Sequence, residues 1–341
     1  MVDTSLLNYL SPPGVDPASW PGVPQIEDGW YPSGGAVNPA TDDGIANWQA
    51  RELAVRSNTL KTRVDKLVTS AGSLVTVGPG GNYATINAAL AALSQMRPAY
   101  VSGGFTTELR LLNGYTMAEQ VLVNAVNLGW VSITSEAVQV PIDRAYLTTS
   151  FGGAYPAFGA SYGGFLPAIA TQFLMMSTGA AAGRHGVYLH SGGGARVEAS
   201  GCGVRSAGGC GILLQTGSTC DANGSDFRSA GEHGAQVMGG SRLAIEAGNL
   251  SGAAQSCLMV TNGSSAHALN ANCSGGGAQG IQATRGGSVN ARGANARRGA
   301  TDATTDFVVL EGGIITAVAG TGGTSQAPQT PTANGLIFKA V

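Results

Sequence analysis

Six seven-residue runs place apolar or small side chains at their second and fourth positions and a glycine at their seventh. They are GVYLHSG from Gly186, GILLQTG from Gly211, GAQVMGG from Gly234, CLMVTNG from Cys257, GIQATRG from Gly280 and DFVVLEG from Asp306. Alternation with a period of two marks a strand that buries one face. The starts fall 25, 23, 23, 23 and 26 residues apart, and a fixed period of this size means a solenoid. Val187, Ile212, Ala235, Leu258, Ile281 and Phe307 share one inward column, and Leu189, Leu214, Val237, Val260, Ala283 and Val309 share the next. A second strand points Val197, Cys220, Leu243, Ala266, Val289 and Ile315 inward, followed by Ala199, Ala222, Ile245, Ala268, Ala291 and Ala317. A third does the same with Val204, Phe227, Leu250, Cys273 and Ala296. The two extra residues of the first repeat are assigned to the turn GGGA at 192–195.

Three short strands per repeat, each stacked on its copy about 4.8 Å away, predict an all-β parallel β-helix with a rung of about 23 residues. Asp226, Asn249, Asn272 and Asn295 fall in one column between the second and third strands, where stacked side chains form a ladder. A leucine-rich repeat of similar length is excluded, because its LxxLxLxxN spacing is absent.

The pattern upstream divides the chain. Residues 1–44 are rich in proline and read as an extended anchoring segment, with Trp20, Trp30 and Tyr31 as anchors in a partner's pockets. In residues 45–72, Ala46, Ala50, Leu53, Ser57, Leu60, Val64 and Leu67 alternate spacings of four and three, the seam of a short coiled-coil helix. A helix packed on its own domain is the alternative. The β-helix is expected over 73–320, with ATINAALAALSQM as a helix, an irregular loop insertion at about 144–184 carrying one or two short strands, and regular rungs from 186. Residues 321–341 form a C-terminal tail or strand.

Composition sharpens this. Gly is 53 of 341 residues and charged residues are 11%, which suits closely stacked, turn-rich strands with little room inside. The net charge of −2, with no basic stripe, gives no footprint for nucleic acid. Five cysteines without a CxxC pair are expected to be reduced and buried. MVDTSLLNYLSPPG has no signal-peptide pattern, so synthesis in a cytosol is expected, and no stretch is long enough for membrane insertion.

With those residues in hand, VTVGPGGNYATINAALAAL (75–93) and ELRLLNGYTMAEQVLV (108–123) resemble the entrance strand, capping helix and first rung of the pectate-lyase-like right-handed β-helix superfamily. NWQARELAVRSNTLKTRVDKL (47–67) is similar to a helix of bacteriophage tail-fibre and spike proteins. The order of parts looks like a phage fibre or tailspike, or the head spike of a gene transfer agent. The resemblance implies a homotrimeric virion protein, bound to other virion proteins through residues 1–44, that binds host-surface polysaccharide. A depolymerase of the same shape is the alternative.

Chemistry in this class depends on what projects outward. On this alignment the second strand presents Glu198, Asp221, Ala244, His267, Asn290 and Thr316, with Asn223, Glu246 and Arg292 in the parallel column. Glu198, Asp221 and Glu246 are the candidate carboxylates for glycan cleavage. Asn223, His267, Asn290, Arg292, Arg205 and Arg228 join them as glycan-binding candidates. No aspartate cluster surrounds Arg205 and Arg228, so the calcium-dependent lyase chemistry of the superfamily is not expected. Asp143 and Arg144 form a weaker candidate pair. The apolar outward residues Leu213, Met238, Met259, Val308 and Leu310 are expected to be covered by a neighbouring subunit. The aromatics Tyr146, Phe151, Tyr155, Phe158, Tyr162 and Phe165 either stack on sugar or pack internally, and packing is the preferred reading. His190 and His267 project outward without metal-ligand spacing; no metal and no cofactor are expected.

Overall fold

A strand leaves backbone N–H and C=O groups along both edges, and they need partners. Here each strand finds them on the matching strand of the repeats before and after it. The computed structural model describes residues 9–10, 23–24, 53, 56–60, 68–69, 73–98, 107–198, 200–297, 306–321, 325–326 and 334–338. Residues 1–69 and 70–341 form two units.

The second unit is a parallel β-helix. Its longest sheet has nine strands, from Val121–Asn124 and Phe158–Ser161 through Val187–Leu189, Ile212–Leu214, Ala235–Val237, Ser256–Val260, Gln279–Ala283 and Phe307–Val309 to Ser325–Gln326. A seven-strand sheet runs through Gly194–Arg196, Thr219–Asp221, Arg242–Ala244, Ser265–His267, Ser288–Asn290, Ile314–Thr316 and Leu336–Phe338. Sheets of four and three strands complete the early rungs, and all pairings in these four sheets are parallel. Val187 lies opposite Ile212, Ile212 opposite Ala235, and so on to Phe307, as the repeat predicts. Every described residue of the expected inward columns is buried; Ala199 is not among the described residues.

The recurrent glycine has a physical cause. Each first strand ends in two consecutive residues of positive φ: Ser191 and Gly192, Thr216 and Gly217, Gly239 and Gly240, Asn262 and Gly263, Arg285 and Gly286, Glu311 and Gly312. Their φ values span 47° to 77°. Glycine adopts this region without a Cβ clash, so it takes the second place of each bend. At the start of the run the constraint is space. A Cβ on Gly211 would stand 2.6 Å from the Gly234 carbonyl oxygen of the next rung.

The polar column is also present. Asp226, Asn249, Asn272 and Asn295 bridge in sequence, and the bridge continues to Thr321. Asn272 Nδ2 donates to Asn249 Oδ1, and Asn295 Nδ2 to Asn272 Oδ1, each at 3.4 Å. The Asn272 Oδ1 also accepts from Ser274 Oγ at 2.7 Å, closing the same local turn that Asn249 closes with Ser251. A helix at Ile86–Ser94 buries Ile86, Ala89, Leu90 and Leu93. Its first turn is satisfied by Thr85 Oγ1, which accepts from Ala88 N, and by Glu119, whose carboxylate accepts from Ile86 N and Asn87 N.

Four expectations need correction. The stretch 144–184 is not an insertion: Phe158–Ser161, Ala168–Ile169 and Gln172–Met175 make a complete rung within it. The two extra residues of the first regular rung are not at 192–195. Ala195 pairs with Cys220 and Arg196 with Asp221, so the offset persists through the second strand. It is gone by the third, where Asp226 N donates to Cys202 O just as Asn249 N donates to Ser225 O. The extra residues therefore sit at the corner 197–201. The tail is not separate, since Ser325–Gln326 and Leu336–Phe338 extend two sheets of the coil. Residues 56–60 are helical, but Val68–Thr69 is extended, so the helix stops short of 72. Within residues 1–44, Tyr9–Leu10 pairs antiparallel with Val23–Pro24. Trp20, Trp30, Tyr31, Ala46, Ala50, Val64 and Leu67 lie outside the described residues.

Asn272→Ala removes the acceptor for the Ser274 turn and two ladder bonds at a half-buried position. Unfolding free energy is expected to fall by about 2 kcal/mol in urea titration, with an unchanged m-value.

Candidate functional site

The outer face of the seven-strand sheet carries acidic, basic and hydroxyl side chains. Its registered column runs Arg196, Asp221, Ala244, His267, Asn290 and Thr316. A second outward column runs Thr219, Arg242, Ser265 and Ser288. Neighbouring rungs stand about 4.8 Å apart, so side chains of this length meet across them.

A groove of about 670 Å³ lies on this face, bordered by Arg196, Thr219, Asp221, Arg242, Ala244, Ser265 and His267, with Phe165 at one end. Small residues make the hollow. Ala244 lies between Asp221 and His267 in the registered column and leaves a gap there. Gly194 admits the Phe165 ring, which a Cβ at Gly194 would strike. The groove thus combines an aromatic end wall with acidic, basic and hydroxyl groups that face solvent.

The sequence candidates separate into five groups. Asp221 and His267 line the groove. Asn290 continues its column, and Asn223, Glu246 and Arg292 lie at the adjacent corner, where Glu246 N donates to Asn223 Oδ1 at 2.7 Å. Arg205 and Arg228 belong to another face. Both pair with the first ladder residue, Asp226, at 3.8 and 3.2 Å. Glu198 sits at the corner 197–201 and pairs with Arg196. The expected stacking of Glu198 on Asp221 is not formed, because the two-residue offset puts Arg196 there instead. Asp143 and Arg144 hold a loop: Asp143 Oδ1 accepts from Ala145 N and Thr178 Oγ1, and Arg144 donates to the Thr178 and Gly179 carbonyls.

The apolar face of the nine-strand sheet is not bare. Leu213 and Val308 are buried within the chain, and Met238, Met259 and Leu310 are half-buried. Phe151 and Ala154 pack with Tyr188, Cys210 and Leu213. That face therefore supplies no argument for a subunit interface. The aromatics divide between roles. Phe158 is in the core, Tyr155 packs on it beneath the Arg184 guanidinium, and Tyr146 and Tyr162 are exposed.

Arg196, Thr219, Arg242 and Ser265 are absent from the sequence candidates, and Phe165 appears there only among the aromatics for which packing is preferred. The strand phase that marked Asp221 as outward also marks Thr219, two residues earlier, and by register Arg242 and Ser265. Arg196 required the correct placement of the extra residues, and Phe165 required the recognition of an earlier rung.

Among known proteins, residues 185–316 match the family model described as a right handed beta helix region. A comparison with curated proteins found no match. The fold is a right-handed parallel β-helix, and that architecture is compatible with proteins that bind or cleave polysaccharide. No described helix is long and apolar enough to cross a membrane. All five cysteines are free and buried.

Burial raises the Glu198 carboxyl above its ordinary range, against the opposing pull of Arg196. The ionised form is thus the one the fold disfavours. Its contribution to stability is fully present below the unfolded glutamate value and is lost as pH rises through the raised folded value. Glu198→Gln should gain on wild type as pH rises above the ordinary glutamate range, read as the change in the Tm difference with pH. A pH-independent difference would show that burial does not govern this carboxyl.

Proposed function

We propose that the outer face of the seven-strand sheet binds polysaccharide, with the groove at Asp221, Arg242 and His267 as its central subsite. The groove carries this reading. Sugar rings offer apolar C–H faces and a rim of hydroxyls, and Phe165 beside Asp221, Arg242, Thr219 and Ser265 offers a partner for each. The face continues over further rungs through Asn290, so successive sugars can lie along the coil axis.

Binding without cleavage is favoured over depolymerisation. The carboxylate pair expected to cleave is separated, with Arg196 rather than Glu198 opposite Asp221. Asp221 and Glu246, diagonal neighbours at about 7–8 Å between backbones, are the carboxylates left for a depolymerase.

The biological setting we propose is a virion spike or fibre that displays this face to host-surface glycan, with residues 1–44 docked on the particle. Its support is the order of the parts and the likeness of residues 47–67 to fibre helices. A homotrimer is proposed with it. Leu53 and Leu60, one heptad apart, are 58% and 46% exposed, as an unpartnered coiled-coil seam requires.

The test is calorimetric binding of capsular polysaccharide and lipopolysaccharide glycan, with chain length and reducing ends followed in parallel. Wild type should bind and leave the chains intact. Arg242→Ala and Asp221→Asn should each weaken binding about tenfold, or about 1.4 kcal/mol, at unchanged Tm. Undiminished binding by both variants would place the glycan elsewhere. New reducing ends that disappear in Asp221→Asn would establish the depolymerase instead.

A further inference from the structure

The residues just before three successive first strands are His185, Cys210 and His233, with Glu232 one place earlier. Backbone bonds lock these rungs in register. Gly186 N donates to Cys210 O, and Gly211 N donates to His233 O, each at 2.9 Å. The register gathers a ring nitrogen of His185, the Cys210 Sγ and a Glu232 carboxylate oxygen within 4.8 Å of one another. Cys210 is fully buried, His185 nearly so, and Glu232 is half-buried with one side toward solvent.

The charge of Glu232 is poorly answered. Among the described residues its carboxylate has one hydrogen-bond partner, the Cys210 thiol at 3.5 Å, which is a weak donor. No described lysine or arginine forms an ion pair with it. Burial pushes the free Cys210 thiol up to about 12, which argues against a nucleophilic role for the cysteine on its own.

We propose that His185, Cys210 and Glu232 bind one soft divalent cation of the zinc type, which cross-links three successive rungs. The donor set is nitrogen, sulfur and oxygen, the chemistry zinc accepts. The 3.5 Å from Cys210 Sγ to Glu232 Oε2 matches the edge of a tetrahedron with bonds of about 2.3 and 2.0 Å. Gln236 Oε1, 3.6 Å from the same sulfur, or a water, completes four ligands. Binding releases the thiol proton to solvent. It also exchanges the bond from Cys210 N to His185 Nδ1, now 2.8 Å, for a metal–nitrogen bond.

The test is titration of metal-free protein with Co²⁺. One equivalent should produce the thiolate-to-cobalt absorption and the strong visible bands of a tetrahedral ion, and Zn²⁺ should displace it. Cys210→Ser should abolish the thiolate band, while Cys257→Ser keeps it. Glu232→Gln should weaken binding at least tenfold. X-ray absorption of the zinc-loaded wild type, which depends on no variant folding, should find one sulfur in the metal's first coordination shell. A shell of nitrogen and oxygen alone, no thiolate band, or a band that survives Cys210→Ser would overturn the proposal.

Discussion

The backbone hydrogen bonds between rungs are the constraint on which the rest depends. Each strand of the nine- and seven-strand sheets is bonded to its copies on neighbouring rungs, so its residues are held above those one period away. That fixes what the interior can contain. Side chains in one column share a narrow lumen, and the second inward position of the second strand is accordingly Ala222, Ile245, Ala268, Ala291 and Ala317. It also fixes the corners, since a bend must recur at the same place in each rung. Paired positive-φ residues and the asparagine ladder are two answers to that demand, one through backbone freedom and one through side-chain bonds.

The same constraint leaves the outer faces free to vary. Nothing in the ladder depends on whether Asp221, Ala244 or His267 projects outward, so a hollow can be made by a small residue between large ones. The ion pairs show a sorting between faces. Arg205 and Arg228 answer Asp226 beside the polar ladder, and in the groove Arg196 is held by Glu198, whereas among the described residues no ion pair forms at Asp221 or Arg242. Charges that are left unpaired and exposed in a groove are available to a ligand, and paired ones at a corner are not.

Much of this was legible in the sequence because a period needs only apolar spacing and glycine. The first- and third-strand inward columns and the ladder follow directly, whereas the second-strand column puts Val197 level with Cys220, where Ala195 stands. What failed was wherever the period was interrupted. The rung at Phe158–Ser161 escapes the period because its strand contains Gly159 and starts 29 residues before Val187 rather than 23. The carboxylate pair failed because Ala-, Gly- and Ser-rich corners look alike at 192–195 and at 197–201. Only hydrogen bonding distinguishes which one bulges. A shift of two residues keeps each side chain on its face, so the burial pattern was right while the neighbour was wrong. The His185, Cys210 and Glu232 group was invisible for a related reason. Linear ligand spacings describe helices and tight loops, whereas in a solenoid ligands recur at the rung period.

That period links the two proposed sites. Arg196, Asp221 and Arg242 come from the same three rungs as His185, Cys210 and Glu232, on different strands of each. The groove is built from single side chains on successive rungs, so its dimensions are inter-rung distances. Any bond that pins those rungs together along the axis therefore limits how far the groove can open. The bulged corner at 197–201 lies within the first of the three, immediately after Arg196. An axial cross-link at His185, Cys210 and Glu232 would therefore act on rungs that include this irregular corner of the binding face.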